Sequence, residues 1–395
     1  MLLSMTQVVQ ITTGARLHFG LLVLGDPDHR AWKVLVAAMG LLLLPSLWPG
    51  FLNATSLTGM YRARIASTWI PEGDDDRVQS GKATTQGERQ LHACTPAAHY
   101  PFPIFNTTAN FAKPDQGPAE RKGRVFTFTP YCRGPMFKKK QPSWYEWTKG
   151  RSISLSRVAA ISGSAMSTNM GYHSRPGLTV FMAVLNVRLG WFIQNPAKPP
   201  GWFPLSRFTQ PLRYWWKEIL GQTKEGDAEI FVSDGGHSDN LGLYELVRRQ
   251  PRYIIAVTCE PEPATGPFEF GNLGRVTRLV RVDLGAEIAI DLAPLERNEA
   301  DGRVDSFVAR GTILYKDGSM AALLLIKSGL PRGPLPADIL NYVRETNSLF
   351  PYDPTSDQQF DEAQFESYRR LGQLAGSAAH SRYISTDPLL CASAG

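Results

Sequence analysis

Residues Ala228 to Pro263 read AEIFVSDGGHSDNLGLYELVRRQPRYIIAVTCEPEP, and this stretch decides the predicted fold. Glu229 to Ser233 is a run of strand-forming residues that ends abruptly at Asp234-Gly235-Gly236. Apolar residues then recur at helical spacing until Pro251 ends the pattern. Tyr253 to Thr258 follows as a second apolar, β-branched run, which is typical of a strand buried on both faces. The stretch therefore predicts a strand, a tight turn, a helix and a second strand.

A right-handed crossover of this kind places its two strands parallel in one sheet. The sequence thus predicts an α/β protein with a central, mainly parallel sheet flanked by helices. In such sheets, chemistry collects where the carboxyl ends of strands meet the starts of helices, and Asp234 occupies such a position. Gly235 and Gly236 allow a close backbone approach and present amide donors that no Cβ obstructs.

The composition is that of a folded protein, with 43% hydrophobic and 20% charged residues in 395. The net charge of +6 is too mild and too dispersed to predict nucleic-acid binding, although it suits an anionic membrane surface. Four widely separated cysteines show no CxxC spacing, so they predict reduced thiols in the cytosol and no metal site. We predict no cofactor, and the composition does not indicate an oligomeric state.

Val34 to Leu52 contains 19 residues without a charge, close to the length that spans a bilayer. We predict a membrane-associated segment here, and a buried core helix is the alternative. The predicted organisation is a membrane-associated segment (1–70), a loop-rich insertion (71–150), an α/β catalytic portion (151–375) and a tail (376–395). The catalytic portion is expected on the cytoplasmic side of the membrane.

Three later segments carry local signals. Val280 to Asp291 alternates in polarity, which predicts strands. Gly311 to Tyr315 and Ala321 to Lys327 predict a hairpin around the turn sequence Lys316-Asp317-Gly318. A final helix is predicted from Ser356, with Gly372 as its stop.

Asp234 is the best candidate for chemistry, since a carboxylate beside local amides can act as a general base. His237 offers an alternative, because Asp234, His237 and Asp239 have the spacing of a DxxHxD metal cluster. A residue that lines a pocket or bonds the turn is the other interpretation of His237. Asn240 is predicted to cap the following helix.

The segment SDGGHSDNLGLYELVRRQPRYIIAV resembles the catalytic-aspartate motif of patatin-like phospholipases, in a bacterial branch similar to the cytosolic phospholipases. The resemblance extends over most of the chain from Asn53 to Gly372. Further blocks that carry it are FLNATSLTGMYRAR (Phe51 to Arg64), ISGSAMSTNMGYHS (Ile161 to Ser174), LNVRLGW (Leu185 to Trp191) and FPYDPTSDQQFDEAQFESYRRLG (Phe350 to Gly372).

The resemblance implies hydrolysis of acyl esters of membrane lipids by a Ser–Asp dyad. Asp234 matches the family aspartate, and Gly235 and Gly236 match its glycines. The nucleophilic serine of the family lies upstream, on a GxSxG elbow after a glycine-rich oxyanion loop.

No GxSxG occurs in these 395 residues. We therefore expect this chain to be the carboxyl-terminal portion of a longer protein, with an incomplete patatin-like sheet and one half of the dyad. Ser162 in AISGS is the internal alternative for the nucleophile, with Gly163 giving an amide to the oxyanion. The remaining alternative is a non-catalytic, membrane-associated remnant of the fold.

Overall fold

The computed structural model describes most of the chain from Phe51 onward. The described residues are 51–69, 89–94, 101–112, 121–138, 141–147, 152–168, 170, 176–198, 213–263, 265–298, 300–346, 349–354 and 360–385. All but the last two residues of the predicted segment Val34 to Leu52 lie outside them.

Ten strands are present among the described residues. They are β1 (Phe105–Asn110), β2 (Gly123–Phe128), β3 (Cys132–Lys138), β4 (Gln141–Glu146), β5 (Trp191–Gln194), β6 (Glu229–Asp234), β7 (Tyr253–Thr258), β8 (Glu287–Ile290), β9 (Val308–Leu314) and β10 (Met320–Lys327).

The α-helices with described bounds are α1 (Phe51–Ala54), α2 (Thr58–Trp69), α3 (Leu155–Ser162), α4 (Pro176–Val184), α5 (Leu243–Arg249), α6 (Gly271–Leu284), α7 (Ala337–Asn341) and α8 (Glu362–Ala379). A further helical segment covers 213–219. Wider π turns at Tyr342–Thr346 and His380–Ile384 continue α7 and α8.

The chain forms two compact units whose boundary falls directly after Asp234. The first unit contains the residues up to Asp234, and the second begins at Gly235 and also contains 106–108 of β1. This boundary lies inside the predicted catalytic portion, 151–375.

A six-stranded sheet has the order β4-β3-β2-β1-β6-β5. Its pairs β2–β3, β3–β4 and β5–β6 are antiparallel. Its main apolar cluster is built on Phe126, Phe128, Val232 and the α3 residues Val158 and Ile161.

A four-stranded sheet has the order β7-β10-β9-β8. Only β7 and β10 are parallel among its described pairs, and β9 is antiparallel to both β10 and β8. One face packs on α5 and α6 through residues such as Leu243 and Val276. The other face packs on α7 and α8 through residues such as Ile339 and Leu371.

The predicted central, mainly parallel sheet is therefore wrong. β6 and β7 lie in different sheets, because β6 pairs with β1 and β5 whereas β7 pairs with β10. The apolar run of β7 misled the prediction, since its burial in fact alternates. Val257 is 63% exposed and Ile255 is 40% exposed, so β7 is not buried on both faces.

Local predictions fared unevenly. The hairpin is confirmed, since β9 and β10 pair antiparallel and the amide of Gly318 bonds the carbonyl of Tyr315 at 2.9 Å. The strands predicted over Val280 to Asp291 are wrong for the first half, which belongs to α6. Gly372 does not stop the final helix, because α8 runs from Glu362 to Ala379.

The predicted amino-terminal membrane helix finds no support where the structure can be examined. The described part of 1–70 consists of the short α1 and the twelve-residue α2. None of the helices in the described ranges combines the length and apolar character needed to cross a bilayer.

Candidate functional site

Asp234 is the last residue of β6 and is half-buried, whereas the four residues before it are buried. Ile230 and Val232 belong to the apolar cluster of the six-stranded sheet, so the strand is fixed by packing. On its neighbour β1, the Asn110 side chain donates to the Ser233 hydroxyl at 2.8 Å. The strand thus brings one carboxylate to the end of a rigid element.

Tyr61 in α2 lies within the electrostatic field of Asp234. Burial raises the pKa of the Tyr61 hydroxyl, and the negative charge of Asp234 raises it further. The same hydroxyl donates to the carbonyl oxygen of Gly163 at 3.0 Å. Asp234, Tyr61 and the end of α3 therefore belong to one neighbourhood of the first unit.

Sequence reasoning missed Tyr61. The residue lies 173 positions before Asp234, in a block that was interpreted as a juxtamembrane helix. The one usable signal was its membership of the FLNATSLTGMYRAR block, whose resemblance to the family had been noted.

Ser162 is the last residue of α3 and is half-buried. The amide of Gly163, predicted to serve an oxyanion, instead donates to the carbonyl of Ala159 at 3.1 Å and so ends the helix. A helix carboxyl end also carries partial negative charge, which opposes a developing oxyanion. The local geometry at Ser162 therefore differs from that of a nucleophile elbow, in which the serine precedes a helix.

Ser164 is fully buried, and its hydroxyl donates to the carbonyl of Ile161 at 2.7 Å. The position of Gly163 is tightly enclosed as well. A Cβ there would lie 2.8 Å from the Tyr61 hydroxyl oxygen. The small residues of the ISGSAMSTNM block thus serve close packing.

Gly235 and His237 bound a 3-10 turn that opens the second unit. A Cβ on Gly235 would lie 2.6 Å from the carbonyl oxygen of Asn106, so no side chain fits there. The Gly235 carbonyl accepts from the amides of Ser238 at 3.0 Å and Asp239 at 2.8 Å. The predicted donor role of Gly235 and Gly236 toward an oxyanion stays a prediction.

Residues 106–108 hold this turn from the side. The Asn106 side-chain amide donates to the carbonyl of Asp239 at 2.8 Å. The Thr108 hydroxyl donates to the Ser238 hydroxyl at 3.0 Å. The turn is therefore a closed, hydrogen-bonded structure.

Asp239, and not Asn240, bonds the start of α5. Its two carboxylate oxygens accept from the amides of Leu241 at 3.0 Å and Tyr244 at 2.7 Å. Burial raises the pKa of Asp239 to about 6, against the opposing effect of these amides. The predicted cap at Asn240 is wrong, since that residue is exposed and the helix is preceded by Gly242.

The other blocks that carry the resemblance meet one another in the first unit. The Thr58 hydroxyl donates to the carbonyls of Leu189 at 2.9 Å and Gly190 at 3.0 Å. The Arg62 side chain donates to the Ser156 hydroxyl at 2.9 Å. These contacts join FLNATSLTGMYRAR to LNVRLGW and to α3.

The LNVRLGW block also supports β6. Arg188 is fully buried, forms an ion pair with Glu218 at 2.8 Å and lies over the Phe231 ring at 5.6 Å. A Cβ on Gly190 would lie 2.5 Å from the Phe231 ring, so only glycine fits. The block thus packs against the strand that presents Asp234.

His237 is buried. Among the described residues, no three His, Cys, Asp or Glu side chains are grouped so that they hold a metal ion. The DxxHxD alternative is thus not assembled as a metal cluster in this part of the chain.

The chain matches no family model, no curated protein and no solved structure.

Proposed function

We propose that this chain carries the general base of a lipid acyl-ester hydrolase, with Asp234 as the acid of a Ser–Asp dyad. The observation that carries the proposal is the position of Asp234. It is a half-buried carboxylate at the end of an otherwise buried strand, and its charge acts on the Tyr61 hydroxyl. The resemblance of SDGGHSDNLGLYELVRRQPRYIIAV to the patatin-like aspartate motif gives the reaction class.

The chemistry asked of Asp234 is proton transfer. A serine hydroxyl is a weak nucleophile, and a carboxylate within hydrogen-bond reach takes its proton as the oxygen attacks the ester carbonyl. Because its pKa is raised, Tyr61 stays protonated and adds no second negative charge beside Asp234. Tyr61 in this proposal positions the end of α3 through its bond to Gly163.

The family resemblance implies an upstream serine as the partner of Asp234. Ser162 remains the internal alternative, weakened by its place at the carboxyl end of α3 and by the engaged Gly163 amide. The proposed substrate is a membrane lipid ester, met at the cytoplasmic face of a membrane. The proposed reaction uses no cofactor and no metal.

A second candidate is a non-catalytic, membrane-associated protein that keeps the architecture of a hydrolase. The closed turn at Gly235 favours it, because its carbonyl and its neighbours are engaged in structural hydrogen bonds. The structural use of the Gly163 amide favours it as well.

Hydrolysis of p-nitrophenyl butyrate separates the two candidates. It should be measured for the 395-residue chain and for the product that begins at any upstream in-frame start, each with and without Asp234→Asn. A competent enzyme should lose activity by about three orders of magnitude or more in Asp234→Asn, as dyad and triad members do. The matched control is Asp283→Asn, an exposed aspartate of α6, which should leave the rate unchanged.

A fluorophosphonate probe followed by peptide mass spectrometry locates the nucleophile. Labelling of an upstream serine supports the dyad implied by the resemblance, and labelling of Ser162 assigns the internal alternative. Hydrolysis that survives Asp234→Asn in a folded product excludes the proposed base. Absence of both hydrolysis and labelling in either product supports the non-catalytic candidate.

A further inference from the structure

A cavity of about 140 Å³ lies in the second unit, beside the carboxyl ends of the parallel strands β7 and β10. It is remote in sequence from the Asp234 motif and shares none of its residues. Its wall includes Val257, Cys259, Ile326, Ser328, Leu371 and Gly376.

The cavity exists because α8 covers β10 more completely than it covers β7. Leu371 and Ala375 of α8 are buried in the cluster that contains Ile326 of β10. β7 stands at the end of the sheet order, and its Val257 is 63% exposed. The space beside β7 is therefore left open by the packing of the helix.

Two glycines on α8 keep this space free. Gly372 and Gly376 are four residues apart on the helix and both line the cavity. A Cβ built on either residue would meet no atom within 4 Å. These glycines are thus not required by close packing, and any larger residue would enter the cavity.

One polar group in the wall has its hydrogen-bonding capacity unused. Ser328 is only 8% exposed, and within the described residues its hydroxyl has no hydrogen-bond partner. Buried hydroxyls without partners are uncommon in proteins, and a bound molecule or an ordered water normally satisfies them. The hydroxyl is close enough to the Cys259 thiol to lower its pKa, although burial has the larger effect and raises it.

The surrounding charges are compensated. Lys327, the residue before Ser328, forms an ion pair with Glu262 at 2.9 Å, and both side chains are buried. The Tyr368 hydroxyl, also in the wall, donates to the Asp353 carboxylate at 2.6 Å. The wall therefore offers apolar surface and one neutral polar group rather than an uncompensated charge.

We propose that this cavity binds a neutral molecule of about the size of a six-membered ring that carries one hydroxyl group. An apolar protein cavity of about 150 Å³ is sufficient for benzene, which sets the size. The ring packs on Val257, Ile326 and Leu371, and the hydroxyl bonds Ser328. The site does not depend on the function proposed for Asp234.

Phenol is the probe, and Cys259 is a reporter built into the site. Alkylation of Cys259 by iodoacetamide in the full 395-residue chain is followed by peptide mass spectrometry over a phenol titration. Phenol should slow the modification of Cys259 saturably, by fivefold or more, and should leave Cys94 in the same sample unaffected. Saturation-transfer NMR on phenol itself gives a second measurement that does not depend on the thiol.

Variants place the ligand. Gly376→Leu should fill the cavity and weaken phenol binding at least tenfold, and Gly372→Leu serves if the first variant folds poorly. The matched control is Gly59→Leu in α2, a helical glycine of the first unit whose Cβ would also meet no atom within 4 Å. Ser328→Ala should weaken phenol binding by about fivefold, the usual effect of one hydrogen bond, and leave benzene binding unchanged.

The proposal is overturned if phenol gives no saturable protection of Cys259 and no saturable NMR signal. It is equally overturned if both cavity-filling variants bind phenol as tightly as Gly59→Leu does. Equal loss of phenol and benzene in Ser328→Ala removes the assigned role of the hydroxyl.

Discussion

The strands β6 and β7, which the sequence suggested were neighbours, end in opposite ways. After β6, the turn from Gly235 is closed by hydrogen bonds from 106–108 and has no room for a Cβ. After β7, an apolar cavity remains, the Ser328 hydroxyl is unbonded within the described residues, and the glycines of α8 face empty space. Glycine therefore marks a tight contact at one strand end and deliberate room at the other.

The difference also concerns how charge is held. At the first strand end, Asp239 is held by backbone amides. At the second, Lys327 and Glu262 hold each other in a buried ion pair. Amides stay in place when a side chain is changed, whereas an ion pair loses its partner, so the second arrangement should be more sensitive to substitution.

The largest effect is expected for Lys327→Met, which leaves the Glu262 carboxylate buried without its cation. Removing one partner of a buried pair costs about 3–5 kcal/mol, so the free energy of unfolding measured in urea should fall by that amount. The double variant Lys327→Met with Glu262→Leu should recover most of the loss. A single variant within about 1 kcal/mol of the wild type would show that the pair is hydrated and would remove this side of the comparison.

The next effect depends on pH. The folded pKa of Asp239, about 6, lies above its ordinary value of 3.8, so the folded state favours the protonated form. Its contribution to stability is complete below pH 4 and is lost as the pH rises through 6. The shift corresponds to about 3 kcal/mol between the two limits.

The measurement for Asp239 is the difference in unfolding free energy between wild type and Asp239→Asn at pH 4 and at pH 7.5. The variant should improve by about 2–3 kcal/mol relative to wild type as the pH rises. Other titrating groups, such as Glu229, whose pKa burial raises to about 7, cancel in this difference. A difference that does not change with pH would contradict the raised pKa.

Gly235→Ala tests the tight strand end. The new Cβ would lie 2.6 Å from the Asn106 carbonyl oxygen, so the backbone has to move. We expect a loss of about 2 kcal/mol in urea unfolding, within the usual cost of overpacking. An unchanged midpoint would indicate that the 106–108 segment yields easily.

Gly376→Ala tests the spacious strand end and should have the smallest effect and the opposite sign. The new methyl group meets no atom within 4 Å, and alanine favours the helix by up to about 1 kcal/mol over glycine. The transition in thermal unfolding should therefore rise by a few degrees. A loss of stability would mean that something already occupies the space in front of Gly376.

Local features were predictable from the sequence. Lys316-Asp317-Gly318 forms the expected hairpin turn, because turn chemistry is contained in a few adjacent residues. The start of β6 and its end at Asp234 were predicted for the same reason. Val276, Leu279 and Val280 are buried at helical spacing in α6, so the alternation seen after Val280 covered only part of the actual pattern.

Long-range features were not predictable. An apolar strand such as β7 has the same composition whichever partner it takes, and its partner β10 begins 67 residues after its first residue. The relation of Asp234 to Tyr61 depends on tertiary packing, and so does the cavity beside α8. Gly372 was mistaken for a stop because a glycine ends a helix only when the backbone turns left-handed, and here the helix continues.

The exposed face of β7 has a consequence for the behaviour of the chain in solution. Ile255 and Val257 are outward-facing β-branched residues on the last strand of its sheet. Terminal strands of this kind can recruit another copy by backbone pairing unless a charge or a proline intervenes. The strand that leaves room for a small guest thereby also gives the protein a tendency to self-assemble at high concentration, and a lysine at position 257 is the simplest way to suppress it.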